Sequence, residues 1–254
     1  TIGAGRPGTT ATPLNGFTKR DGSGISLQGD IEFGAGILTT ITGFRNTESD
    51  WEMPSIGAPA GGGYDLANGV FGVDVNDDIE EEIDTFSQEL RWTSTTDGSV
   101  QYVAGLYYFT EDTERQEQFA LDRNTAATGQ VRIGNEYTKT ENETTSYALY
   151  GHANWSMSDA WTLSVGGRWT RDERDYAATA VNCGLDEADR AAAGFPNFWA
   201  CEGVGGSIGV IAEAFFVPAT DSWTDFSPMV SLQYNPGGSV MYYGTVSTGY
   251  KSGG

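Results

Sequence analysis

Eight stretches of this chain alternate apolar with polar residues, and this alternation limits the fold more than any single motif does. Ile25, Leu27, Gly29, Ile31 and Phe33 are interleaved with Ser26, Gln28, Asp30 and Glu32. A threonine- and isoleucine-rich run follows at 37–48. Phe86, Gln88, Leu90 and Trp92 alternate with Ser87, Glu89, Arg91 and Thr93, and Val100, Tyr102, Ala104, Leu106 and Tyr108 form the next face. Tyr147, Leu149, Gly151, Ala153 and Trp155 repeat the pattern, as do Trp161 to Trp169, then Phe226, Val230, Leu232 and Tyr234, and finally Val240, Tyr242, Gly244, Val246 and Tyr250. A period of two puts the apolar residues of a strand on one side. Many of these runs reach ten residues or more, about twice the usual strand and enough for a tilted strand to cross a bilayer.

The connections sort by length. Those at 34–36, 96–99, 158–160 and 236–238 are short, with Thr96-Asp97-Gly98 as a hairpin-turn signal and Asn235-Pro236-Gly237-Gly238 as another turn. Those at about 49–84, 114–142 and 175–222 are long. Short and long alternate, which is the layout of an outer-membrane barrel: tight periplasmic turns and large external loops. A soluble β-sandwich also alternates apolar and polar residues, but rarely collects its long loops at one end of long strands. The stretch SDAWTLSVGGRWTRDERDY at 158–176 fits the barrel. Trp161 would lie in the inner aromatic girdle and Trp169 towards the outer one, with Leu163 and Val165 facing lipid. The charges from Arg171 onward would stand in water outside the cell.

Composition agrees. Among 254 residues there are 35 Gly, 12 Tyr, 12 Phe and 7 Trp, a strand and turn inventory. Mean hydropathy is −0.37, and no run approaches the ~18 apolar residues of a membrane helix. That excludes a helical membrane protein but not a barrel, whose strands offer lipid only half their residues. A formal net charge of −21 makes nucleic acid a poor partner. No leader precedes Thr1 and nothing caps the end at Gly254, so the chain reads as an internal fragment.

The longest connection holds Cys183 and Cys201. Two unrelated thiols are the plain reading, but an even count bracketing one loop favours a disulfide, worth ~3 kcal/mol in the chain-entropy model. Within it, the acids Asp186, Glu187 and Asp189, the alanines 191–193 and Gly194 form a short-helix signature. Phe195, Phe198 and Trp199 follow, either as a ligand-contact surface or as packing for the loop. The acidic run Asp74–Asp84 invites a Ca²⁺ reading, but an EF-hand loop begun at Asp74 would need glycine where Ile79 stands and glutamate where Thr85 stands. It is expected to be a solvated external loop.

Several stretches resemble one family, the TonB-dependent outer-membrane receptors. Thr85-Phe86-Ser87-Gln88-Glu89-Leu90-Arg91-Trp92 followed by Tyr102–Phe109 is similar to a hairpin of its barrel. So are Thr145–Gly151, the stretch Leu163–Glu173 with its Gly166-Gly167-Arg168-Trp169-Thr170 centre, Phe226-Ser227-Pro228, and Tyr243–Gly254. In order, these cover about 23–254. The resemblance implies an all-β fold: an antiparallel transmembrane barrel segment of about eight strands, supplying about a third of a roughly 22-stranded wall. A plug domain and the end of the barrel would lie outside 1–254. Alone, such a segment has two unpaired edges and should not be stable in a membrane.

The resemblance also implies energy-coupled uptake of a scarce solute, most often a ferric siderophore, with the plug and through it an inner-membrane energising complex as partners. Outer-membrane lipid is the third partner, no cofactor is expected, and the location is the outer membrane of a Gram-negative bacterium. Glu89, Arg91, His152, Asn154, Arg168, Tyr243 and Thr245 would face the lumen, where they bond to the plug, line the solute path or simply form a solvated wall. His152 is the sole histidine, and no Gly-X-Ser-X-Gly elbow supplies a nucleophile, so catalysis is not expected. Histidine-poor loops suit a chelated or organic solute better than a bare metal ion. A passive porin and a soluble secreted β-protein are the competing functions.

Overall fold

The computed structural model describes residues 16–54, 72–125, 129–182, 214–237 and 239–253. They form eight strands: β1 (Phe17–Phe33), β2 (Gly36–Pro54), β3 (Gly72–Ser94), β4 (Val100–Thr125), β5 (Gly129–Ser156), β6 (Trp161–Asn182), β7 (Ala214–Tyr234) and β8 (Tyr242–Ser247). All belong to one sheet in the order β1-β2-β3-β4-β5-β6-β7-β8, with every neighbouring pair antiparallel. Among the described residues there is no second sheet to cover either face. Trp161, Val165 and Trp169 remain 39%, 43% and 40% exposed. The sandwich expected of a soluble β-protein is therefore absent from the described residues.

The apolar faces of all eight strands fall in register. One rung joins Leu90, Leu106, Leu149, Trp169 and Phe226 across β3 to β7. Another joins Tyr102, Ala153, Val165, Val230 and Val246 across β4 to β8. A slip of one residue in any pair would turn that strand's apolar set to the other face. Aromatic rows bound the apolar band. At the long-connection end Phe44, Phe86, Tyr108 and Tyr147 form a chain with centroid spacings of 4.8, 6.0 and 5.2 Å. At the short-turn end Phe33 meets Trp92 edge-on at 6.3 Å, and Trp161 stacks on Tyr234 at 4.4 Å. Phe44 and Phe86 share a rung, but Phe86 pairs with Thr110 while Tyr108 pairs with Tyr147. The row thus steps down the strands as it crosses the sheet, as in a wall of tilted strands. Trp161 and Trp169 are eight residues apart, about 26 Å along a strand and roughly 20 Å of height at a tilt near 40°.

The short turns form where expected. Gly34 adopts φ +57° between β1 and β2. In the β7–β8 link the Gly237 N–H donates to Asn235 Oδ1 at 3.1 Å, Pro236 presets the bend, and Gly237 takes φ +92°, a conformation open to glycine. The 96–98 signal marks a hairpin but not a tight primed turn. Five residues link β3 to β4, Gly98 is not among the positive-φ glycines, and the Gln101 amide bonds the carbonyls of Thr96 and Gly98.

Three expectations are corrected. The strands run far beyond their apolar halves. The acidic run, expected in a loop, lies within β3; β4 continues to Thr125; and β5 begins at Gly129, leaving only 126–128 between them. The physical reason is that apolar alternation records hydrocarbon contact, whereas the backbone ladder continues wherever two strands stay paired. Tyr250 also leaves the apolar face: β8 ends at Ser247, and the Tyr250 hydroxyl is buried on the side of Asp172 and Asp225 without a hydrogen-bond partner among the described residues. Cys183, Cys201, Phe195, Phe198, Trp199 and the helix signature at 186–194 lie outside the described residues.

Candidate functional site

Opposite the apolar band the same strands present polar side chains. Glu89, Arg91, His152, Asn154, Arg168, Tyr243 and Thr245 all occupy positions on this second face. Arg91, Gly105, Tyr150, Arg168 and Ser227 lie on one rung, and Glu89, Tyr107, Ala148, Thr170 and Asp225 on the next. The register therefore brings Glu89, Arg91 and Arg168 together from β3 and β6, although 77 residues separate Arg91 from Arg168.

The centre of this cluster is Tyr150. Its hydroxyl donates to Glu89 Oε1, and Arg91 Nη1 lies 3.8 Å from the same oxygen. The Tyr150 ring reaches Glu89 by crossing β4 over Gly105, where an added Cβ would overlap the ring. The Arg168 guanidinium stands over the Tyr107 ring at 5.5 Å and the Tyr150 ring at 6.0 Å. Its Nε donates to Thr170 Oγ1 at 3.1 Å. A shallow groove of about 400 Å³ opens beside Arg168, between Glu89, Tyr107, Tyr150, His152 and Met229. The backbone of Gly151, Gly166 and Gly167 lines it; of these only Gly166 lies on the polar face, where His152 Nδ1 stands 3.0 Å from the position a Cβ would take.

A second polar patch lies nearer the short turns. Asn154 Oδ1 pairs with His152 Nε2 at 3.0 Å and accepts from Ser164 Oγ at 2.6 Å. Ser231 and Thr245 share a hydroxyl bond of 2.7 Å on the same rung. Tyr243 stands apart, 74% exposed. Alternation alone put these residues on one face, and the register keeps them there. Alternation missed Tyr150, Tyr107, Gly105 and Thr170, because their significance is a cross-strand relation. The signal available in the sequence was a glycine at a wall position opposite a large aromatic, and it becomes readable only once the register is known.

Beyond the outer aromatic row the apolar side of the sheet becomes acidic. Glu48, Glu82, Glu114 and Glu141 form one rung, and Asp84, Asp112, Glu143 and Asp175 another. Asn46 Nδ2 bonds Glu82 and Asp84 at 3.1 and 3.0 Å. Lys139 bridges Glu114 and Glu141 at 3.1 and 2.9 Å. Desolvation by itself would lower the Lys139 pKa, but the hydrogen bonds and charges of Glu141 and Glu114 outweigh it and raise the ammonium above its ordinary value. Among the described residues, no three acidic, histidine or cysteine side chains converge on a point that could hold a metal ion.

A single antiparallel sheet with an apolar band between aromatic rows, a polar opposite face and tight turns at one end is the wall of an outer-membrane-type β-barrel. The sequence matches the profile of the TonB dependent receptor-like, beta-barrel family over residues 2–254, and the chain belongs to that family. Barrels of this family sit in the outer membrane of Gram-negative bacteria. No curated protein matches the sequence. Similar solved structures include the ferric yersiniabactin uptake receptor FyuA from Yersinia pestis, with 14% identity, a TM-score of 0.61, and coverage of 91% of this chain and 28% of that one. The ferric-catecholate import receptor Fiu from E. coli K12, in its open form, has 12% identity and a TM-score of 0.53, covering 93% and 36%. The siderophore receptor PiuA from Acinetobacter baumannii has 11% identity and a TM-score of 0.50, covering 90% and 32%. At these identities the likeness is one of fold. The chain spans about a third of the length of these receptors.

Proposed function

We propose that the chain forms part of the barrel wall of an outer-membrane receptor that imports a scarce solute by energy coupling, and that this solute is a metal chelate of the ferric siderophore kind. The observation that carries the reading is the registered apolar band between two aromatic rows, in a chain that belongs to this receptor family. The names of the similar receptors lend support to the iron chelate. In this reading residues 1–254 are an internal part of one barrel domain, and the protein holds its plug and the remaining strands elsewhere. The polar face, with Glu89, Arg91, His152, Asn154, Arg168, Tyr243 and Thr245, lines the lumen and meets the plug or the solute. An inner-membrane energising complex acts through that plug.

Two measurements test this. A spin label at Val165 of the full-length receptor in vesicles should collide with oxygen dissolved in lipid, and one at Ser164 should not; equal collision rates would remove the lumen assignment. Cells lacking the gene, and cells regaining it, should differ in uptake of at least one of several iron chelates, cobalamin or oligosaccharides when these are offered in turn. A difference for cobalamin or a sugar alone would replace the solute. Uptake that persists after the inner-membrane proton gradient is collapsed would favour a passive porin.

A further inference from the structure

We propose that Arg168 is an oxyanion-binding residue of the barrel interior, receiving a carboxylate in the groove beside Tyr107 and Tyr150. This rests on the reading that the polar face lines the lumen.

Arginine offers five N–H donors in a planar fork. Among the described residues Arg168 uses one, Nε to Thr170 Oγ1, and no carboxylate lies within ion-pair distance of it. Arg20, Arg45, Arg174 and Lys251 share this lack among the described residues, so what sets Arg168 apart is its place in the groove between two tyrosine faces. Lys19, Arg91, Arg115, Lys139 and Arg171 each have a carboxylate oxygen at 2.6–3.8 Å. Glu89 lines the same groove, but its Oε1 is held by the Tyr150 hydroxyl and faces Arg91.

The rest of the surroundings favour a bound anion. Two tyrosine faces and the Thr170 bond fix the guanidinium plane. Of the glycines lining the groove only Gly166 lies on the polar face, with the His152 ring close beside it. A guanidinium held in plane meets a carboxylate through two parallel bonds, stronger and more directional than a point-charge contact. The carboxylate has two possible sources: an acidic side chain of the domain filling the lumen, or the imported solute.

The test uses the full-length receptor in detergent micelles, as wild type, Arg168→Gln and Arg168→Lys. The probes are ferric citrate, which carries carboxylates, and a ferric tris-catecholate, which carries none. A solute source predicts that R168Q weakens ferric citrate binding about tenfold or more, leaves the catecholate unchanged, and that R168K recovers part of the loss. A lumen-domain source predicts that R168Q speeds amide exchange in that domain about tenfold without either probe, and leaves both affinities alike. The proposal is overturned if R168Q changes neither readout while the barrel keeps its heat-modifiable gel mobility, or if only the barrel melting temperature falls. Should R168Q not assemble, R168K is measured in the same way, and a threefold or smaller change in both readouts overturns the proposal. The Val165 and Ser164 labels report separately on whether the polar face lines the lumen at all.

Discussion

Tyr150 shows how one residue organises a site through what its neighbour lacks. Its hydroxyl reaches Glu89 because Gly105 has no side chain beneath the ring. Gly105→Ala should push the ring away and cost ~1–3 kcal/mol by overpacking, read as a lower midpoint in urea unfolding of the full-length receptor. In a Tyr150→Ala background the same change should cost less than half as much. An equal cost in both backgrounds would mean that the glycine serves another purpose. Lys139 carries a different dependence. Its folded pKa is raised, so its contribution is fully present below the ordinary lysine value near 10.4 and is lost as pH rises through the folded value. The stability difference between wild type and Lys139→Met should therefore stay constant from pH 8 to about pH 10 and then vanish. A difference that already fades near neutrality would contradict the ion-pair account. Tyr107, Tyr150 and Gly105 could not be recognised as a unit from the chain, because nothing local says which glycine an aromatic ring will cross.

At the scale of the strand, hydrocarbon contact and backbone pairing obey different rules. Within the membrane band both coincide, and alternation located all eight strands. Outside it, residues on either face meet water, so alternation ceases while the ladder of β3, β4, β5 and β6 continues. For that reason the acidic run reads as a loop in the sequence, although it lies within β3. Its pairing carries a penalty, since like charges directly opposite destabilise a sheet. Glu82 stands between Glu48 and Glu114. Glu82→Lys should turn two repulsions into attractions and stabilise this part of the sheet by about 1 kcal/mol. Raising ionic strength from 0.05 to 0.5 M should have the same sign in wild type, measured as slower amide exchange over residues 78–84. Faster exchange with salt would mean that attraction dominates the belt.

For the whole molecule the decisive contrast lies between the two faces of one strand. Val165→Arg puts a charge in the apolar band and should cost ~2–4 kcal/mol in folding of the full-length receptor into vesicles, with Ser164→Arg close to neutral. Equal costs would mean that lipid does not touch the Val165 face. The fold class was legible because burial against lipid demands a strict period of two over about ten residues, and any chain that meets that demand eight times has few other architectures open to it. The polar face was legible as the complement of the apolar one, which is why the lumen candidates fell on one side. Three things were settled only by the assembled sheet. They are the register that sets Arg91, Tyr150 and Arg168 on one rung, the extension of β3, β4 and β5 past their apolar stretches into charged sequence, and the burial of the Tyr250 hydroxyl away from the apolar face. Periodicity is a property of one strand against its solvent and is written locally. Register is a property of two strands far apart in the chain, decided by the summed hydrogen bonds and cross-strand contacts of the whole ladder.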